Sequence, residues 1–154
     1  MGQHIEIIPY ETRYHMAFKK LNLEWLDKYN LTESHDLMVL DDPIGTILNR
    51  GGFIWLARSG EEIIGTAALM KEGYGIFELA KMSVTSAWQG KGVSKLLLET
   101  CIKNAKKRKA SKLTLFSNHQ LTTALALYQK YGFRNVELKN FPFVTADIKM
   151  ELDL

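Results

Sequence analysis

The amino-acid sequence predicts an α/β (α+β) protein with elements in the order β-α-α-β-β-β-α-β-α-β-β. Apolar residues recur every three or four positions in stretches such as 11–29 and 93–101, which is the period of an amphipathic helix. Shorter stretches are rich in branched and aromatic residues and are bounded by turn-forming residues, which indicates strands. Of the 154 residues, 46% are apolar and 24% are charged. This balance is typical of a globular protein, and we expect one domain over residues 1–154.

The first part of the chain is predicted to hold one strand and several helical turns. The strand covers residues 4–8 and is ended by Pro9, and a long amphipathic helix covers residues 11–29. A broken helical region follows and ends before Gly51-Gly52. It contains Asp42-Pro43, which favours a helix start because Asp caps a helix and Pro fits its first position.

The second part of the chain is predicted to begin with strands, which then alternate with helices. Two strands joined at Ser59-Gly60 form a hairpin, and Gly73-Tyr74-Gly75 turns the chain into the next strand. Gly132 suits the left-handed position at the end of a helix. The predicted strands cover residues 53–58, 62–70, 76–84, 112–116, 133–138 and 144–152, and the predicted helices cover residues 93–101 and 121–131.

The turn between the strand ending at Val84 and the helix that follows it is a candidate anion site. Backbone N–H groups and the positive end of the helix dipole point the same way in such a turn, which suits a phosphate. A Walker loop is excluded, because Lys91 lies between the two glycines and Val93 follows the second. A dinucleotide fingerprint is excluded too, because Lys95 takes the place of its third glycine and residues 110–112 contain no acid. A plain turn shaped by two glycines is the alternative.

Two separate motifs carry a resemblance to a known family. The segment Gln89-Gly90-Lys91-Gly92-Val93-Ser94 resembles Gln/Arg-x-x-Gly-x-Gly/Ala, the pyrophosphate loop of the GNAT superfamily of N-acetyltransferases, with Ser94 where the family has a smaller residue. Residues 127–133, Leu-Tyr-Gln-Lys-Tyr-Gly-Phe, are similar to the family's Leu-Tyr-x-Lys-x-Gly-Phe. The order of the predicted elements is also that of the family. The resemblance implies a mixed, mostly antiparallel sheet of about seven strands flanked by helices.

The resemblance also implies an activity and a donor site. The expected reaction moves an acetyl group from acetyl-CoA to a primary amine of a small molecule or peptide, by direct attack in a ternary complex. In the family picture the edge of the fourth strand pairs with the pantetheine arm, and Leu121 stands where many relatives have Asn. A backbone N–H near Met82, where the family has a bulge, would meet the oxyanion, although the sequence shows no bulge. The implied donor-binding residues are Met82, Ser83, Val84, Gln89, Gly90, Lys91, Gly92, Val93, Ser94 and Asn118.

Glu78 and Tyr128 are the candidate catalytic residues. Strand alternation puts Glu78 on one face with Ile76, Ala80, Met82 and Val84, so apolar neighbours should raise its pKa toward that of a useful base. An ordinary carboxylate paired with Lys81 is the alternative. The Tyr128 phenol is expected to give its proton to the departing thiolate, as the resemblance implies for this position. A core tyrosine on one face with Leu121, Ala124 and Leu125 is the alternative.

The acceptor site is the part that the sequence defines least. The resemblance implies that the first helices and the last loop bind the amine, and the candidate residues are Trp25, Tyr29, His35, Phe141 and Phe143. His35 is also an alternative base. The acids Glu33, Asp36, Asp41 and Asp42 lie nearby and would attract a cationic amine, although helix capping and solvation explain them equally well.

Composition argues against several other functions. Apolar runs such as 53–57 are too short to cross a bilayer and the chain does not open like a leader, so we expect a cytoplasmic protein without membrane contacts. The single cysteine, Cys101, is expected in the core, and no metal site is predicted. Basic residues crowd into 103–112, but without interleaved aromatics they are interpreted as a solvated helix end and not as a nucleic-acid site. A non-catalytic acyl-CoA-binding or regulatory module is the alternative function, and a homodimer is possible.

Overall fold

The computed structural model describes residues 4–139 and 145–154, and the strands in these residues form one seven-stranded sheet. The strand order is β1-β2-β3-β4-β5-β7-β6, and only the β4–β5 pair is parallel. The strands are β1 Glu6–Pro9, β2 Phe53–Ser59, β3 Glu62–Gly73, β4 Ile76–Val84, β5 Lys112–Ser117, β6 Arg134–Val136 and β7 Ile148–Asp153. The helices are α1 His15–Lys28, α2 Ser34–Asp41, α3 Pro43–Thr46, α4 Val93–Lys107 and α5 Thr122–Lys130. A mixed, mostly antiparallel sheet flanked by helices is therefore confirmed.

The order of the strands agrees with the prediction. The broken helical region forms two helices, α2 and α3, where the predicted order has one, and the other differences lie at the ends of the elements. Pro9 is the last residue of β1 and does not lie beyond it, which is possible because β1 is an edge strand and Pro lacks only the N–H. β6 is shorter than residues 133–138. β7 begins at Ile148 and not at residue 144, which lies outside the described residues. The helix start at Asp42-Pro43 is confirmed: the Asp42 side chain accepts a hydrogen bond from Gly45 N at 3.0 Å.

Two apolar clusters cover the two faces of the sheet. On one face α4 packs through fully buried residues such as Leu97 and Cys101 against Leu79 of β4. Burial raises the pKa of the Cys101 thiol, so the prediction of a core cysteine is confirmed. On the other face, Phe18 of α1 and Leu40 of α2 pack in a second cluster with residues of β2 and β3.

Strands β4 and β5 pair only at their beginnings, which opens the sheet. The parallel register runs from Ile76 opposite Lys112 to Glu78 opposite Thr114 and goes no further. Beyond that point the remainder of β4 and the end of β5 line a cavity. The family resemblance implies a donor whose pantetheine arm pairs with the edge of β4, and this opening leaves that edge accessible.

A β-bulge at Lys81 changes which face the second half of β4 presents. The β3–β4 register moves from Ala68 opposite Ala80 to Thr66 opposite Ser83, so one extra residue lies in β4, and Lys81 has φ +51°. The expectation that Met82 and Val84 share a face with Glu78 is therefore wrong. Both pack with the α4 cluster, because an inserted residue reverses the alternation.

Candidate active site

A cavity of about 500 Å³ extends from the first turn of α4, along the opening between β4 and β5, to α1 and α2. It brings together most of the residues that the sequence singled out, although they come from five separate parts of the chain. The lining includes Trp25, Tyr29, Glu78, Met82, Ser83, Val84, Gln89, Gly90, Gly92, Val93, Ser94, Asn118 and Tyr128. Leu121, the departure from the family pattern, lies in the same lining.

The turn before α4 presents backbone N–H groups to the cavity. Gly90 and Gly92 have φ of +75° and +82°, in the left-handed region that other residues avoid. The helix begins at Val93 and its first internal hydrogen bond runs from Leu96 N to Gly92 O at 3.1 Å. The N–H groups before Leu96 have no partner inside the helix, and the capping residue is a glycine without a side chain to satisfy them. Backbone N–H groups of this kind, together with the positive end of the helix dipole, suit an anion.

Helix α1 supports the chain just before this turn. One carboxylate oxygen of Glu24 accepts hydrogen bonds from Ser86 N at 3.1 Å and from Ser86 Oγ at 3.0 Å. The Gln89 side-chain amide donates to Val84 O at 3.4 Å, which closes the turn from within. The turn is thus stabilised by Glu24 of α1 and by the side chain of Gln89 within the turn.

The two lysines of the turn region differ in position. Lys91, a predicted donor residue, lies outside the cavity lining, and its ammonium group is 5.5 Å from the centre of the Trp88 ring. Lys95, which the family pattern does not mark as a donor residue, lies in the lining. It follows Ser94 on the first turn of α4, where a cation adds to the positive potential of the helix end. Because a cation next to a phosphate site favours phosphate binding, its place one residue after the turn motif is a sequence signal that could have indicated Lys95 as a donor residue.

Glu78 is buried, with 7% of its surface exposed, and is the last residue of β4 that pairs with β5. Burial raises its pKa to about 8, and the hydrogen bond and negative charge of Glu72 act in the same direction. The positive charges of Lys81 and Lys149 act against this rise. The carboxyl group therefore changes its protonation state close to neutral pH, where a general base is most effective.

Lys81 pairs with Asp36 and not with Glu78. Its Nζ lies 2.6 Å from Asp36 Oδ1, and the two side chains are 7% and 6% exposed. The Lys81 carbonyl accepts a hydrogen bond from Thr66 Oγ1 at 2.8 Å, and Asn22 of α1 donates to the same hydroxyl at 3.2 Å. The bulge is therefore held by α2 through the lysine side chain and by β3 and α1 through its backbone.

Tyr128 is positioned by the end of α5. Phe133 N donates to Tyr128 O at 3.0 Å and Gly132 N donates to Gln129 O at 3.0 Å, with Gly132 at φ +99°. These are the two bonds of a Schellman motif, and the rings of Tyr128 and Phe133 make its apolar contact at 5.7 Å between centroids. Burial raises the pKa of the phenol, so it stays protonated and able to donate at any physiological pH. The left-handed Gly132 is confirmed.

Asn118 joins the end of β5 to the start of the last segment. Its Nδ2 donates to Thr145 O at 2.7 Å, and its Oδ1 accepts from Gln120 N at 3.0 Å. Thr145 in turn donates from its backbone N to Glu33 Oε2 at 3.0 Å. Helix α2, which follows Glu33, is thus connected across the cavity to the chain before β7.

The four acids near the proposed acceptor site all have structural partners. Asp36 pairs with Lys81, Asp41 lies 2.5 Å from Lys19 Nζ, and Asp42 and Glu33 make the hydrogen bonds given above. Helix capping therefore explains Glu33, Asp36 and Asp42, and Asp41 is exposed, whereas solvation does not explain the buried Asp36.

The five candidate acceptor residues differ in where they lie relative to the cavity. Trp25 and Tyr29 of α1 line the cavity and contact each other at 5.0 Å between ring centroids. His35 does not belong to the lining. Phe141 and Phe143 lie outside the described residues.

In residues 4–139 and 145–154 no three His, Cys, Asp or Glu side chains come together as metal ligands would. None of the helices there has the length and apolar character needed to cross a membrane.

The family model for the acetyltransferase (GNAT) domain matches residues 50–135, which is more than half of the chain. The chain belongs to the GNAT acetyltransferase family. This N-acetyltransferase is 32% identical over 122 residues to YvbK, an uncharacterized N-acetyltransferase of Bacillus subtilis (strain 168), covering 77% of this chain and 78% of that protein. It is 30% identical over 100 residues to N-acetyltransferase family 8 member 2 of Rattus norvegicus, where the match covers 62% of this chain but only 44% of the rat protein.

Solved structures share the fold of this acetyltransferase over almost its full length. A GNAT acetyltransferase of Staphylococcus aureus Mu50 has a TM-score of 0.90 at 23% identity, covering 97% of this chain and 99% of that one. A GNAT acetyltransferase of Elizabethkingia anophelis, solved with acetyl-CoA bound, has a TM-score of 0.67 at 25% identity and coverage of 99% and 100%. The PaiA N-acetyltransferase of Thermoplasma acidophilum, solved with coenzyme A, has a TM-score of 0.79 at 17% identity and coverage of 98% and 99%.

Several lining residues of this acetyltransferase were not found by reasoning from its sequence. Asn22, Lys81 and Thr145 line the cavity, and no local pattern around them indicates it. The sequence indicates Asp36 only as a possible attractant for a cationic amine. Each of these residues depends on a partner far away in the chain, so a single sequence without its relatives carries no signal for it.

Proposed function

We propose that residues 1–154 act as one acetyl-CoA-dependent N-acetyltransferase that moves the acetyl group to a primary amine of a small molecule or peptide. The observation that carries the proposal is the single cavity in which an anion-binding turn, a buried carboxyl group of raised pKa and a buried phenol meet. The turn suits the pyrophosphate of the donor. The opening of the sheet leaves the edge of β4 beyond Glu78 unpaired with β5, which suits the pantetheine arm.

The reaction that these residues support is a direct transfer. The amine nitrogen attacks the thioester carbon, so a C–N bond forms and the C–S bond breaks. Glu78, once deprotonated, takes the proton that the nitrogen loses, and the Tyr128 phenol gives its proton to the departing thiolate. A backbone N–H at the Lys81 bulge would stabilise the oxyanion. Cys101 is fully buried in the α4 cluster, so no acyl-cysteine intermediate is proposed.

The test is the steady-state release of CoA in the presence of a panel of amines and amino-terminal peptides. Glu78→Gln and Tyr128→Phe should each lower kcat by at least about tenfold, because each removes one proton transfer. Tyr131→Phe is the matched control, since Tyr131 lies at the same helix end but donates its hydroxyl to Glu99 at 2.8 Å, away from the cavity. Glu62→Gln, on the exposed hairpin, is the control for the carboxylate.

The outcomes separate the candidate functions. Near-normal kcat in both variants would remove Glu78 and Tyr128 from the mechanism. Acetyl-CoA that raises the melting temperature without any CoA release across the panel would favour the non-catalytic acyl-CoA-binding module.

A further inference from the structure

Asn22 of α1 is a buried polar side chain to which the proposed reaction gives no role. It lines the cavity, and 2% of its surface is exposed. Its Nδ2 donates to Phe18 O at 2.9 Å and to Thr66 Oγ1 at 3.2 Å. Because the Phe18 carbonyl can only accept, the nitrogen and the oxygen of the amide cannot be exchanged. Both hydrogens of the amide nitrogen are therefore used within the protein.

The Thr66 hydroxyl fixes the direction of the hydrogen bonds around Asn22. Its one hydrogen is donated to Lys81 O at 2.8 Å, so the hydroxyl can only accept from Asn22 and Ser83. The Ser83 hydroxyl, whose oxygen lies 3.2 Å from Thr66 Oγ1, must then be the donor in that contact. These three side chains thus use their hydrogens within the protein, and what they have left to offer a ligand is acceptor positions.

The amide oxygen of Asn22 is open to the cavity. Among the described residues no donor contacts Asn22 Oδ1, and no fully enclosed side-chain oxygen or nitrogen lacks a partner. The oxygen is therefore in contact with open space, and the space that Asn22 lines is the cavity. A ligand that covered this oxygen without offering an N–H or O–H group would leave an acceptor unpaired, which is unfavourable.

Asn22 lies beside the reacting centre if the proposed function holds. Thr66 connects it to the Lys81 carbonyl, and the bulge at Lys81 is the part of β4 proposed to stabilise the oxyanion. A primary amine that attacks the thioester there brings two nitrogen hydrogens, of which Glu78 takes one. The other hydrogen needs an acceptor. The amide groups of the pantetheine arm, in contrast, have the edge of β4 as their proposed partner.

From these contacts we infer that Asn22 Oδ1 accepts a hydrogen bond from the reacting nitrogen and so selects primary over secondary amines. The inference rests on the proposed function and names a residue that determines its substrate class. In a primary amine one hydrogen passes to Glu78 as the C–N bond forms, and the second stays on the nitrogen and donates to Asn22. An N-methyl amine has a single hydrogen, which it loses to Glu78, so its product amide has none for Asn22.

The experiment measures CoA release with the primary amine of the panel that has the highest kcat/KM and with its N-methyl derivative. The natural protein should use the primary amine at least about tenfold better. Asn22→Leu introduces a side chain of similar shape without the acceptor. It should lower the kcat/KM of the primary amine by at least about tenfold and the ratio of the two amines by at least about fivefold. Asn22→Met, with a flexible apolar side chain, tests the same point should Asn22→Leu fail to fold.

Thr66→Val is the matched control for the structural part of the network. It removes the bonds to Asn22 Nδ2 and Lys81 O but leaves the bond to Phe18 O that orients the amide. It should lower the unfolding free energy, as Asn22→Leu does, and should leave the ratio of the two amines unchanged.

The affinity for acetyl-CoA, measured by calorimetry, identifies the ligand group that contacts the amide oxygen. This affinity should be equal in the natural protein and in Asn22→Leu. Weaker acetyl-CoA binding with an unchanged ratio of the amines would assign the oxygen to an N–H of the pantetheine arm and overturn the inference. An unchanged ratio alone would also overturn it, and both results leave the proposed function intact. No CoA release with any amine of the panel would overturn both.

Discussion

The proposed donor end of the cavity, residues 84–95, and its proposed acceptor end, which Asp36, Lys81 and Thr145 line, are built by different kinds of contact. The donor end comes from consecutive residues, 84–95, whose backbone conformation is set by two left-handed glycines. The acceptor end depends on pairs such as Lys81 with Asp36, separated by 45 positions, and Thr145 with Glu33, separated by 112. We therefore expect the donor end to be sensitive to backbone changes, and the acceptor end to the loss of a single partner.

The largest effect is expected from Asp36→Ala, at the acceptor end. This change leaves the Lys81 ammonium group buried without its carboxylate, and breaking a buried pair in this way costs about 3–5 kcal/mol of unfolding free energy. Urea unfolding, followed by circular dichroism, measures it. Asp41→Ala is the matched control, because the Asp41–Lys19 pair is exposed and should contribute at most about 1 kcal/mol.

Equal stability losses in the two aspartate variants would contradict the role given to the buried pair. The bulge would then be held mainly by its backbone hydrogen bond from Thr66. A kcat that falls in Asp36→Ala under conditions where the variant is fully folded would connect the pair to the position of the bulge N–H groups.

The second largest effect is expected on the pH dependence of kcat/KM, through the carboxyl group of Glu78. Glu78 must be deprotonated to act, and its pKa is raised to about 8. The kcat/KM for the amine should therefore rise about tenfold per pH unit well below the pKa, roughly fiftyfold from pH 6 to pH 8, and only about twofold more above pH 8. The pH profile of kcat/KM should be measured with two amines whose own pKa values differ. If the pH at which the profile levels off changes with the pKa of the amine and shows no step near pH 8 common to both, Glu78 is not the source of the pH dependence.

The same raised pKa makes a prediction about stability. In the unfolded chain Glu78 loses its proton near its ordinary pKa of 4.5, whereas the folded protein keeps it until about pH 8. The folded state binds more protons in this window, so the carboxyl group lowers stability as the pH rises from 4.5 to 8. Glu78→Gln should thus be more stable than the natural protein at pH 8 by at least about 1 kcal/mol, as thermal unfolding would show.

The difference between the two ends also explains how much the sequence could predict. The turn at residues 89–94 and the end of α5 depend on glycines at fixed offsets, and such local signals are visible in one sequence. Gly132, for example, was assigned its left-handed conformation from position alone, and the structure shows the full Schellman motif that positions Tyr128. The element order followed from periodicity in the same way.

The bulge and its contacts could not be predicted in this way. An inserted residue in β4 leaves the composition of the strand unchanged, so alternation gave the wrong face for Met82 and Val84. Likewise, nothing near Lys81 in the sequence identifies Asp36 as its ion-pair partner. Glu78 is closer to Lys81 in the sequence, which makes it the more obvious candidate. Long-range pairs of this kind are settled by tertiary packing, which one sequence does not report.

The smallest effect is expected at the donor end, from Gly92→Ala. Apart from its two chain neighbours, no residue has an atom within 4 Å of a Cβ at this position. The change therefore acts through the backbone at φ +82°, which costs roughly 1–2 kcal/mol for a residue other than glycine. Relief of that strain should turn the N–H groups away from the proposed anion site, and acetyl-CoA should bind about tenfold more weakly by calorimetry.

Gly60→Ala is the matched control. Gly60 also has a left-handed φ of +61° and, its chain neighbours apart, no atom within 4 Å of a Cβ, but it lies in the β2–β3 hairpin. Both variants should lose about 1 kcal/mol of stability, and only Gly92→Ala should lose donor affinity. Unchanged affinity in Gly92→Ala would mean that side chains such as Lys95, and not the backbone, determine donor binding at this end.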